Sequence, residues 1–305
     1  MIIRPNQHWF FRLFDWRGSV LSKITFRLGL NVLMSIIAIA FYQWYEQFGI
    51  HLTVAPFSLL GIAIAIFLGF RNNASYSRFV EARMLWGTLL IAERTLLRQL
   101  QNLLPEEKTL HRHIAQYLIA FSWSLKHQLR HTDATADLYR ILPKSAFAEV
   151  NASPMPTNRI LLLLGHEIGQ LRQAGRLSDV TYKMLDNKLD ELAHVLGGCE
   201  RIANTPVPFA YTLILQRTVY LFCTLLPFAL VADLHYMTPF VSVFISYTFL
   251  SWDSLAEELE DPFGTTANDL PLSAICNSIE RSLMEMNDQQ PLPALHKPDR
   301  YFNLT

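Results

Sequence analysis

The sequence predicts an all-α integral membrane protein, and three observations carry that prediction. Hydrophobic residues make up 51% of the 305 residues and charged ones only 17%, against about 25% charged in an ordinary soluble chain. The apolar excess is gathered into uncharged stretches at 28–45, 52–70, 202–216, 218–232 and 236–252. The first two and the last are about the length that crosses a roughly 30 Å hydrocarbon core. No segment alternates apolar and polar residues for long enough to read as a strand.

The first 27 residues are aromatic and basic, with Arg4, Trp9, Phe10, Phe11, Arg12, Trp16, Arg17, Lys23 and Arg27. They lack the short apolar core and small-residue cleavage site of a signal peptide, so 1–27 reads as a cytosolic interfacial segment. Domain 28–70 then holds two spans, roughly 28–48 and 53–70. Region 71–208 is a cytosolic helical part, 209–255 holds spans at 209–232 and 236–255, and 256–305 is a cytosolic C-terminal segment. The connectors "EQFGIHLTVAP" and "DLHYMT" contain no Lys or Arg, whereas basic residues crowd the N-terminal segment and 71–201. The positive-inside rule therefore puts both termini and the central region in the cytoplasm.

The central region reads as four helices. "RFVEARMLWGTLLIAERTLLRQLQNLL" keeps Leu85, Leu89, Ala92, Leu96, Leu100 and Leu103 at three-to-four spacing with charges opposite. "IAQYLIAFSWSLKHQLRH" is the second. After the linker "NASPMPTN" come 158–174 and "LSDVTYKMLDNKLDELAHVLGGCERI", for which Ser178 is a natural N-cap. Helices this long and this few leave apolar surface for other subunits, which predicts an oligomer.

Several function classes find no support. The formal net charge is zero, which gives no electrostatic footprint for nucleic acid. Cys199, Cys223 and Cys276 have neither zinc-type spacing nor a disulfide framework. No G-x-S-x-G, Walker or G-x-G-x-x-G pattern occurs, and no nucleophile has a base beside it. No catalytic residue, metal or cofactor is therefore expected. His127 and His131 are four apart and would share a helical face, but no third ligand stands at a telling distance, so they read as surface residues.

The stretch at 61–87, "GIAIAIFLGFRNNASYSRFVEARMLWG", carries most of the functional argument. Pro56 suits the first turn of the helix that contains it, where its missing N–H costs nothing. Ile62, Ile66 and Phe70 fall on one stripe, since i, i+4 and i+8 share a helical face. The facing Gly61, Ala63, Ala65 and Gly69 are small enough for close helix approach. Apolar residues four apart also suit a face against lipid or a neighbouring helix, so spacing alone leaves the stripe's role open. The immediate run into Arg71, Asn72 and Asn73 suits the mouth of a water-filled path. Arg217 interrupts the apolar run 202–232. An Arg there costs roughly 2.5–3.5 kcal/mol on insertion scales, so it is expected to be a structural charge paired with a carboxylate or helix-end carbonyls. Pro206, Pro208 and Pro227 in that run read as helix starts or kinks.

"GFRNNASYSRFVEARMLWG" resembles the signature of the bestrophin family of ion channels. "GCERIANTPVPFAYTLILQRTVYLFC" and "ELEDPFG" resemble that family's third-span and post-fourth-span motifs, in the family's order, and the likeness is to its compact bacterial members. The resemblance implies a homopentamer around one axial pore, multi-pass among the lipids of a bacterial inner (plasma) membrane. It places the pore neck on Ile62, Ile66 and Phe70. Through "GRLSDV" it places a cytosolic aperture on Val180, with Asp179 beside it as a possible pore-lining charge. Stacked apolar rings offer nothing to replace a hydration shell and can gate by dewetting.

The resemblance also bears on which ion passes. Eukaryotic members are anion channels opened by calcium, whereas a bacterial relative is sodium-permeable. Helix N-termini facing the outer pore favour anions and Asp179 favours cations. The expectation leans to monovalent cations, sodium foremost, with a chloride channel of the same architecture as the alternative. The calcium-binding acidic run of eukaryotic members is replaced here by Thr265, Thr266, Ala267 and Asn268, leaving Asp269 alone. Hard cations want several oxygen ligands, so no calcium gating is expected. Glu257, Glu258, Glu260 and Asp261 are expected to pair with basic residues of a neighbouring subunit. A secondary transporter, for which inverted repeats are wanting, and a non-conducting membrane scaffold are the rival readings.

Overall fold

The structure is a computed structural model that describes residues 1–3, 8, 10, 18–47 and 53–305. Most of the expected interfacial segment, and the connector after the first span, lie outside the described residues. Ten α-helices appear among those described: α1 Leu21–Gln47, α2 Val54–Leu103, α3 Lys108–Arg130, α4 Thr135–Ile141, α5 Lys144–Asn151, α6 Pro156–Gln173, α7 Asp179–Asn204, α8 Phe209–Leu234, α9 Thr238–Glu260 and α10 Leu272–Met286. The one β pairing among them is a single bridge, Ile2 with Asn303.

Three stretches are long and apolar enough to cross a membrane: Leu21–Trp44, Val54–Leu103 and Phe209–Glu260. The third is divided by a 3₁₀ turn at His235–Met237 into α8 and α9. The chain separates into two compact units. One comprises Pro5–Phe79 and Pro206–Asp261, the other Met1–Arg4, Val80–Thr205 and Pro262–Thr305.

In the first unit α1, α8 and α9 pack on one another. Its core gathers Ile24, Ile64, Leu68, Val219, Phe222, Leu226 and Leu250. A polar knot lies among them. Buried Asn31 on α1 donates to the Cys223 carbonyl oxygen at 2.6 Å and to Ser246 Oγ at 3.0 Å. Ser242 Oγ donates back to Asn31 Oδ1 at 3.0 Å. Thr238, Ser242 and Ser246 are all fully buried. They repeat every four residues on α9, a small-residue face of the kind that lets membrane helices approach closely.

In the second unit the expected apolar stripe forms. Leu89, Ala92, Leu96 and Leu100 are fully buried, as are Ile114, Leu118 and Phe121 of α3. Helix α3 also packs on α4, α6 and α10. Helix α7 begins as its sequence dictates, with Ser178 Oγ accepting the Thr181 N–H at 3.2 Å. Helices α4, α5 and α10 were not expected from the sequence. The first two are too short, at 7 and 8 residues, to show a period. Beyond α3, His131 turns left-handed, with φ 52° and ψ 41°, so it leaves the helical face it was expected to share with His127. His127 instead faces Thr132 Oγ1 at 2.7 Å and Asp137 Oδ2 at 2.9 Å. That hydrogen bond, with Lys126 and Arg140 nearby, holds the Asp137 carboxyl below its usual value.

Candidate functional site

Helix α2 has 50 residues, about 75 Å at 1.5 Å per residue, so only part of it can lie in a hydrocarbon core of roughly 30 Å. Its two sides differ along the whole length. One stripe is buried: Ile64, Leu68, Arg71, Ser75, Ala82, Trp86, Leu89, Glu93, Leu96 and Leu100. The opposite stripe is bare in the single chain. Ile62, Ile66 and Phe70 are 61%, 53% and 63% exposed, and Asn73, Ser77, Met84 and Ile91 continue the exposed line. Of the small residues near the stripe, Gly61 lies against α8, where a Cβ would stand 3.5 Å from the Phe222 ring, whereas a Cβ at Gly69 would meet nothing within 4 Å.

The Arg-Asn-Asn run divides its three residues among three tasks. Arg71 turns inward and is fully buried in an ion pair with Asp253 of α9, also fully buried. Asn72 Nδ2 donates to the Leu68 carbonyl at 3.0 Å and across to the Trp252 carbonyl at 3.1 Å, tying α2 to α9. Asn73 stays on the exposed stripe and prolongs it with a polar group. The Arg71–Asp253 pair is the feature that reading the sequence missed. Its signal was available: Arg71 continues the buried spacing of Ile64 and Leu68, and Asp253 is the first charge after the uncharged run 236–252.

The acidic end of α9 corrects an expectation. Two of its four carboxylates, Glu258 and Glu260, meet basic groups of their own chain, so a neighbouring subunit is not needed for those two. Glu258 pairs with Lys23 at 2.8 Å. Glu260 stands 3.8 Å from Arg71 Nη2, accepts the Val207 N–H at 3.1 Å, and offers its carbonyl to Arg78 Nε at 3.2 Å. Asp269, left over from the family's acidic run, is also committed. Its two oxygens accept the Thr266 N–H at 2.6 Å and the Thr266 hydroxyl at 2.7 Å. No group of three or more His, Cys, Asp or Glu converges on a metal-sized site among the described residues.

Val180 is 80% exposed in the first turn of α7. Beside it, Asp179 Oδ1 accepts from Arg172 Nε at 2.8 Å, with its side chain still 82% exposed. Arg217 is exposed on α8 and forms no ion pair among the described residues. Of the two partners expected for it, a carboxylate or helix-end carbonyls, no carboxylate stands within ion-pair distance among the described residues.

The family model described as Bacterial/Fungal Bestrophin protein matches residues 1–285. This chain belongs to the bestrophin family. A bestrophin homologue from Klebsiella pneumoniae is 80% identical and superposes with a TM-score of 0.86, covering 88% of this chain and all of that one. The proteins named Voltage-dependent anion channel-forming protein YneE in Salmonella typhi and Escherichia coli K12 are each 57% identical over all 305 residues, the whole of both chains. A similarly named protein of Ralstonia nicotianae is 43% identical over 94% of each chain. This bestrophin is thus a helical membrane protein. Its signature run, 69–87, contains both the inward Arg71 and the start of the polar half of the exposed stripe.

Proposed function

We propose that five copies of this bestrophin enclose one axial pore and conduct monovalent ions passively. Four spans per subunit cross the inner membrane of a bacterium, with both termini and the central helices on the cytoplasmic side. Ile62, Ile66 and Phe70 form the neck, Val180 forms a second, cytosolic aperture, and Arg217 is a structural charge. The observation that carries this reading is the exposed line on one side of α2, apolar at Ile62, Ile66 and Phe70 and polar at Asn73 and Ser77, while Ile64, Leu68, Arg71 and Ser75 on the other side stay buried. A line facing only lipid would gain nothing from Asn73 and Ser77.

The names of the 57% identical relatives favour anion conduction. The cation reading keeps one observation in its favour, the exposed Asp179 carboxylate beside Val180, and one against it, since Arg172 already offsets that charge. Calcium is not required for opening, because the one carboxylate left in the acidic run is spent on Thr266.

Purified protein in vesicles with asymmetric NaCl tests both parts. Ile66→Ser is expected to raise flux severalfold with assembly intact, since a hydroxyl ring lowers the dewetting barrier; unchanged flux would remove the neck assignment. A reversal potential near the chloride equilibrium supports anion conduction, and one near the sodium equilibrium overturns it. Chelating calcium is expected to leave the current unchanged.

A further inference from the structure

Between α1, α8 and α9 a notch of about 260 Å³ opens on the outside of the first unit, walled by Phe26, Leu30, Tyr220, Thr224 and Leu250. Phe26 is 83% exposed and Leu30 44%, so the wall is mostly apolar and open to its surroundings. One cation stands at it: the Arg27 guanidinium lies 4.9 Å above the Tyr220 ring. A second belongs to the same face, because Arg217, Tyr220 and Thr224 are spaced three and seven apart on α8 and share one stripe.

Neither arginine forms an ion pair among the described residues, although carboxylates occur close by. Asp253 is committed to Arg71 and Glu258 to Lys23, and exposed Glu257 pairs with neither arginine. Arg27 lies six residues into α1 and Arg217 eight into α8, about 9 and 12 Å along their helices. The stacking of Arg27 on Tyr220 puts both helix starts on one side of the membrane. Long basic side chains near helix ends extend to the interface where headgroups meet acyl chains.

We infer that this notch is a binding site for an anionic phospholipid. The lipid's phosphate sits between Arg27 and Arg217, and an acyl chain lies along Phe26 and Leu30. This accounts for an exposed arginine inside an apolar helix that the proposed pore does not use. Guanidinium groups match phosphate oxygens in a forked geometry, and each basic residue at a membrane surface favours anionic lipid about fivefold.

The test uses full-length protein in detergent, with thermal unfolding and native mass spectrometry read against added phosphatidylglycerol, phosphatidylcholine or inorganic phosphate. Wild type is expected to prefer phosphatidylglycerol over phosphatidylcholine. Arg27→Gln and Arg217→Gln should each cut that preference about fivefold, and Lys23→Gln should leave it unchanged. Leu30→Trp keeps both cations and fills the notch, and is expected to lose the retained lipid. It also serves as the variant to read if loss of an arginine impairs assembly. A preference that survives both arginine substitutions, or that Leu30→Trp leaves intact, overturns the site. Equal stabilisation by inorganic phosphate would assign a free anion instead, and disulfide cross-linking of copies through Thr224→Cys would show that a second chain covers the notch; either result overturns the lipid.

Discussion

The two units solve the same packing problem with opposite chemistry. In the second unit, helices meet through large aliphatic side chains such as Leu89, Leu96, Leu118 and Phe121, because removing them from water is itself the driving force. In the first, the α1–α9 contact is made by Asn31, Ser242 and Ser246, and α2 is tied to α9 by Arg71, Asn72 and Asp253. Lipid tails are as apolar as leucine, so apolar contact alone does not hold helices together there. Close approach and hydrogen bonds take its place. Apolar exposure therefore means different things in the two units. On α1 or α8 it suits a face against lipid, whereas on Met84 and Ile91 of α2 it suits the contact between copies that the proposed assembly requires.

Breaking the buried ion pair tests this contrast most severely. Asp253→Ala leaves Arg71 buried without its partner and is expected to cost about 3–5 kcal/mol, read as loss of folded protein in thermal unfolding. Arg71→Met with Asp253→Leu should recover most of that loss; failure to recover would mean the pair does more than fill space. Next in size is Leu96→Ala in the second unit, expected to cost about 2–5 kcal/mol through lost burial and a residual cavity. Asn31→Ala in the first unit should cost less, about 0.6–1.7 kcal/mol. A leucine truncation at an exposed site of α1, Leu33→Ala, should cost almost nothing, and a cost like that of Leu96→Ala would erase the distinction between the units.

A separate effect is in pH. The Asp137 carboxyl is held below its usual value, first by the hydrogen bond from His127. Its contribution is therefore complete above the unfolded carboxylate value of about 3.9 and disappears as pH falls through the lower folded value. Asp137→Asn should cost about 1–2 kcal/mol at neutral pH and remove that acid-side loss. An acid transition unchanged in the variant would assign it elsewhere.

Much of this was legible in the sequence because it is local. The exposed face of α2 follows from residues four apart, and the N-cap of α7 from Ser178. Three things were not legible. Arg71 and Asp253 are 182 residues apart, and no local period links them. Glu258 and Glu260 at the end of α9 find Lys23 and Arg71, which a single linear reading cannot bring near. His131 was assigned to a helical face by spacing, but the backbone had already turned left-handed there. In the first two cases the missing information was tertiary, a charge whose partner lay on another helix; in the third it was the local point at which the helix ends.

The continuity of α2 has a consequence for the lengths this chain can tolerate. Leu85, Leu89, Leu96 and Leu100 all turn into the second unit's core only because no residue is gained or lost between them. One alanine inserted after Arg94 would rotate Leu96 and Leu100 by about 100° away from the face that Leu85 and Leu89 share. Seven inserted residues would bring the helix back to within about 20° of its starting angle, so a two-turn insertion should be borne far better than a single residue.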